Sequence, residues 1–66
     1  MPDSESIKNI KSYIKSVCEI ELDTDDDERV KRVFISVFAN SILKQAKIND
    51  SIKDKIINDL YIEFGV

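Results

Sequence analysis

Histidine and tryptophan are absent from this chain, and cysteine, glycine, proline and methionine each occur once. Each scarcity closes off a class of function. Without an imidazole, nucleophile–base arrangements of the Cys–His or Ser–His–Asp kind are excluded. A zinc site of mixed Cys and His ligands is excluded as well, because Cys18 is the only thiol. A lone cysteine also means no internal disulfide, and it fits a reducing compartment. The single glycine, Gly65, leaves no phosphate-cradling loop of the P-loop type. Pro2 and Gly65 stand at the two ends, so tight hairpin turns between them are poorly supplied. No run approaches the roughly 18 apolar residues of a membrane span. Met1 to Lys11 is mostly polar and has no signal-peptide apolar core, so a cytoplasmic location is expected.

What remains is a chain of 66 residues with 35% charged residues and a net charge of −3. That length is one domain, residues 1–66, and a domain so small buries only about 60% of the surface its unfolded chain exposes. Small scaffolds usually need a staple. With disulfides and zinc excluded, the staples left are very regular helix packing or a partner subunit. The mixed surface charge disfavours non-specific DNA binding by bulk charge.

Strand-like alternation is weak and helical periodicity strong, so the expected fold is all-α: a small bundle of three helices, about 4–18, 25–46 and 51–64. In the first, Ile7, Ile10, Ile14, Val17 and Cys18 share one face, and Ser4 is the expected N-cap, with Asp3 or Ser6 competing. Cys18 reads as a small core residue. Glu19 to Asp23 reads as a connection in which Ile20 and Leu22 close the end of the core. The second helix, starting near Thr24 or Asp25, has the largest apolar content, with an expected core face of Val30, Val33, Phe34, Val37, Phe38, Ile42 and Leu43. Lys44 and Lys47 suit its C-terminal dipole. Asn49-Asp50-Ser51 reads as a turn ending in an N-cap, and Ser51 with Asp54 resembles a capping box. The third helix carries Ile52, Ile56, Ile57, Leu60, Tyr61 and Phe64, with Gly65 as its stop.

Asp23, Asp25, Asp26, Asp27 and Glu28 supply five of the thirteen acidic residues. An EF-hand loop starting at Asp23 would need Gly at position 6 and Glu at position 12, where this chain has Glu28 and Phe34. No metal or other cofactor is expected. If the run is the first turn of the second helix, Asp25, Asp27 and Glu28 lie four residues before Arg29, Lys31 and Arg32. Each such pair contributes about 0.2–0.5 kcal/mol when exposed. Asp23 and Asp26 have no such pairing, which leaves the run a further use as steering charge for a partner.

The third helix does not read as a DNA-recognition helix. Lys53 and Lys55 are countered by Asp54 and Asp59, and base-reading side chains are nearly missing. A nucleic-acid face would instead use Lys8, Lys11 and Lys15 on the first helix, against the simpler reading of a solvated stripe. The most suggestive functional feature is apolar surplus. Ile35 falls off the expected core face of the second helix and Ile62 off that of the third. Ile48, Tyr13 and Tyr61 add apolar area at the edges. Clustered in space, such residues form an interaction patch. The expected function is therefore non-catalytic: an adaptor or inhibitor that binds another protein, including a second copy as a homodimer, through Ile35 and Ile62 with the acids 23–28 as steering charge. A nucleic-acid-associated regulator is the alternative.

Ile10 to Lys15 (IKSYIK) and Asp23 to Val33 (DTDDDERVKRV) place a short helix, an Asp-rich entry and a long apolar helix in succession. This arrangement is similar to small phage head–tail connector proteins. The resemblance implies a third reading, an assembly component of a phage or mobile element.

Overall fold

A computed structural model of the chain describes residues 4–66. Three helices follow in order: α1 (Ser4–Glu21), α2 (Glu28–Gln45) and α3 (Asp50–Phe64). They form an elongated bundle of 38 × 18 × 18 Å, with α2 packed against both neighbours. The all-α three-helix architecture is as the periodicity implies. Asp3, one candidate cap of the first helix, lies outside the described residues.

The core is one cluster. Ile14 and Cys18 come from α1, Ile35, Ala39 and Leu43 from α2, Ile56, Ile57 and Leu60 from α3, and Ile48 from the connection before α3. No polar or charged residue is buried among the described residues. On α1, Ile7, Ile10, Ile14 and Cys18 face this cluster as their spacing requires, whereas Val17, expected on the same face, does not pack against it. Lys11 and Lys15 reach from α1 to Asp59 and Glu63 of α3, at 3.5 and 3.7 Å.

Both connections differ in detail from expectation. α1 runs on to Glu21, because nothing between Cys18 and Leu22 breaks a helix, and the Leu22 N–H still reaches the Cys18 carbonyl at 2.9 Å. Leu22 then packs against the core while Ile20 turns outward, 80% exposed. The acidic run is the loop itself and not the first turn of α2. The Asp26 N–H donates to the Asp23 carbonyl at 3.1 Å, and the Asp23 N–H donates to Asp26 Oδ2 at 2.8 Å. Asp27 is the N-cap, its Oδ1 accepting from the Arg29 N–H at 3.0 Å. Asp side chains compete for backbone N–H groups in this way, which is why they favour turns and caps over helix interiors.

α2 ends in a Schellman arrangement, with the Lys47 N–H on the Lys44 carbonyl and the Ile48 N–H on the Leu43 carbonyl, both at 3.1 Å. Lys47 holds the left-handed position at φ 59°, a place glycine normally takes. The motif turns Ile48 into the core, 6% exposed, so Ile48 is not part of any surface surplus. α3 is capped by Asn49 rather than Ser51: Asn49 Oδ1 accepts from the Ile52 N–H at 3.0 Å. Asn49 comes first in the turn and already has extended backbone, so the helix starts two residues earlier than the capping-box reading places it. Gly65, at φ 71°, ends α3 as expected.

Candidate interaction surface

The largest correction concerns which face of α2 points inward. Ile35 is fully buried, so it is a core residue and not the exposed partner contact that its position off the main apolar stripe implied. The inward row is Ile35, Ala39 and Leu43, at i, i+4 and i+8. Of the seven residues expected in the core, Leu43 is buried and Phe34, Phe38 and Ile42 pack against the core cluster, but three are turned outward: Val30, Val33 and Val37 are 51%, 57% and 65% exposed. At helical pitch these three valines fall within about 60° of one another, on the side opposite the inward row. The physical reason is that α2 carries two apolar rows and only one can enter a three-helix core. The row containing Ala39 lets α1 and α3 approach closely on either side, while Phe34, Phe38 and Ile42 fill one flank half-buried.

The outward valines do not stand alone. With Arg29 and Phe34 they line an open groove. Phe34 stacks on Phe38 at a centroid distance of 5.9 Å, and Phe38 meets Tyr13 of α1 at 6.3 Å. Tyr13 is 55% exposed, so the apolar surface continues from α2 onto α1. On the α3 side the Arg32 guanidinium lies over the Tyr61 ring, 4.9 Å from its centroid. α2 thus carries apolar side chains beyond the face that packs in the core, beside a polar stripe of Arg29, Arg32, Ser36 and Asn40.

Ile62 is exposed, as expected, but it lies on α3, outside the groove on α2. Asp23, Asp25, Asp27 and Glu28 are exposed and Asp26 is half-buried. The three ion pairs expected with Arg29, Lys31 and Arg32 do not form: Asp25 and Asp27 precede the helix, which begins at Glu28, and Arg32 lies over the Tyr61 ring instead of beside Glu28. Among the described residues the ion pairs are Lys11–Asp59, Lys15–Glu63 and Lys53–Asp50. Lys31 Nζ reaches instead to the Thr24 carbonyl at 3.5 Å. Asp26 and Asp27 thus have structural duties, and Asp23 and Asp25 keep exposed carboxylates with no such task. Among the described residues no three acidic or thiol side chains gather as a metal site.

The lysine face is partly spent. Lys11 and Lys15 pair with α3 carboxylates, leaving Lys8 exposed at the end of the stripe. Cys18 is buried, and its thiol pKa is pushed up by desolvation and then by the Glu19 charge, which disfavours the reactive thiolate. The functional candidates that sequence reading misplaced are Val30, Val33 and Val37. The available signal was the second row, Ile35, Ala39 and Leu43, whose helical spacing is as good as theirs.

No protein-family model, curated protein or solved structure matches the chain. No helix among the described residues is long and apolar enough to cross a membrane.

Proposed function

We propose that this protein is a small non-catalytic interaction module, an adaptor or inhibitor, that binds another protein through the outward face of α2. The observation that carries this reading is the row of Val30, Val33 and Val37, each more than half exposed on a helix whose other face already fills the core. Covering a valine contributes about 1.5–3 kcal/mol at full burial, so three half-exposed valines supply a useful binding energy. Missing imidazoles and the open, ungated form of the groove support a non-catalytic role. A buried, unpaired thiol suits the reducing cytoplasm.

A nucleic-acid role through Lys8, Lys11 and Lys15 has weaker support, because two of the three ammonium groups already face carboxylates. The interaction reading is tested by placing a photo-crosslinking amino acid at position 33 and, as control, at the exposed Asn58 of α3. A discrete adduct from position 33 that is absent from position 58 is the expected result. Equal adducts from both positions, or none, would overturn it.

A further inference from the structure

We infer that the occupant of the outward face of α2 is a second copy of this chain, with the two α2 helices packed antiparallel. The inference rests on the interaction reading above and names its partner. Three features of α2 point to it.

The apolar row is symmetric along the helix. Its midpoint lies between Val33 and Phe34. A two-fold axis there sets Val30 against the second copy's Val37, and Val33 against the second copy's Phe34. The resulting contact is isologous: the same patch serves both chains. Its valine part spans about 10 Å, two helical turns, on each chain.

The charges at the two ends of α2 are opposite. At its N-terminal end Asp23, Asp25, Asp26, Asp27 and Glu28 outnumber Arg29, Lys31 and Arg32, and Lys44 and Lys47 stand exposed at its C-terminal end. The antiparallel arrangement lays each acidic loop along the lysine end of the other chain, twice over by symmetry. Asp23 and Asp25, whose carboxylates have no task within their own chain, are the acids best placed to meet those lysines. A parallel arrangement would instead set acid against acid and Arg29 against Arg29. The antiparallel helix dipoles add to the same preference.

The apolar surface also continues beyond the valines, as the centre of an interface requires. A standard interface buries about 800 Å² per partner, which is about one sixth of this chain's 4804 Å² surface. The groove on α2, extended through Phe34 and Phe38 to Tyr13, offers the apolar centre of such an interface, and the charged ends supply its polar rim.

The test is sedimentation equilibrium of the full chain from micromolar to millimolar concentration, with circular dichroism as the check on folding. The wild type is expected to show a monomer–dimer equilibrium. Val33→Glu, at an exposed position, should keep its helical signal and raise the dissociation constant about 100-fold, the effect of leaving a charge in an apolar interface. Asp25→Lys alone and Lys44→Glu alone should each raise it about three- to tenfold. Both together in one chain should restore part of the association, because the pair between positions 25 and 44 is then re-formed in both copies with its signs exchanged. A wild type that stays monomeric at millimolar concentration overturns the inference, as does a dimer indifferent to Val33→Glu. Crosslinking at position 33 separates the two readings. An adduct of twice the chain's mass supports the dimer. A specific adduct of any other mass overturns the second-copy inference and leaves the interaction reading standing. Absence of any specific adduct overturns both.

Discussion

The two faces of α2 are built from nearly the same kind of residue and end in opposite environments. The inner row, Ile35, Ala39 and Leu43, is completely buried between α1 and α3. The outer row, Val30, Val33 and Val37, is more than half exposed. Hydrophobicity alone does not separate them, since three valines are as apolar as Ile, Ala and Leu. The separation is one of shape. A row with a small residue at its centre admits two flanking helices, whereas a run of β-branched side chains holds them off and presents a ridge that suits a partner's groove. In the proposed function one helix thus serves twice, for the chain's own core and for docking.

The comparison is broken most forcefully by equal truncations on the two faces. Leu43→Ala should cost about 2–5 kcal/mol, the usual range for a buried Leu. For a chain of 66 residues total stability is on the order of 3–10 kcal/mol, so this one change should leave much of the population unfolded at room temperature. Val33→Ala should change monomer stability by less than about 0.5 kcal/mol, as exposed positions do. Urea melts at a concentration below dimerisation read both. If Val33→Ala cost as much as Leu43→Ala, the assignment of inner and outer faces would be wrong.

How far the sequence carried the fold follows from the same contrast. Helix number and order were legible because three periodic segments are separated by Asp- and Asn-rich turns with no glycine between. The faces of α1 and α3 were legible because each has a single apolar row. α2 was not, because periodicity identifies rows but cannot rank two of them. The ranking depends on how neighbouring helices fit, which is tertiary information. The same limit explains the acidic run. Counting i, i+4 spacings assumes the helix has begun. Whether Asp25 is in the helix depends on Asp27 winning the N-terminal backbone donors first. A surplus of exposed apolar residues was expected, but its members were exchanged: Ile35 is buried and the three valines are exposed.

A smaller change sharpens the comparison at the C-terminal end. Lys47 occupies the left-handed backbone position of the motif that folds Ile48 onto the inner face. A residue with a Cβ is strained there by about 1–2 kcal/mol, and glycine is not, although glycine also gains entropy in the unfolded chain. Lys47→Gly should therefore stabilise the monomer by about 0.5–1 kcal/mol and raise Tm by several degrees. The inner face is then held more firmly. The outer face keeps its valines but loses one rim lysine, so association should weaken slightly even as stability rises. Thermal melts and sedimentation, read together, should move in opposite directions.

The smallest effect comes from the residue that α1 contributes opposite the inner row. Cys18 is sealed in the core, and burial followed by the Glu19 charge raises its pKa above the ordinary 9.0. In the unfolded chain the thiol ionises near that ordinary value, so between the two pKa values the native state holds more protons than the unfolded state. Stability must then fall as pH rises through that window, and the thiol is without effect below it. The loss should vanish in Cys18→Ala, which trades it for a small cavity present at every pH. A thiol reagent offers the kinetic counterpart: it should react with native Cys18 only as fast as the core opens. The proposed dimer would leave the inner face where it is, so raising the protein concentration should slow that reaction solely by stabilising the folded state through mass action. A reagent that modified Cys18 rapidly in the folded protein would place the thiol at the surface and undo the division of α2 into an inner and an outer face.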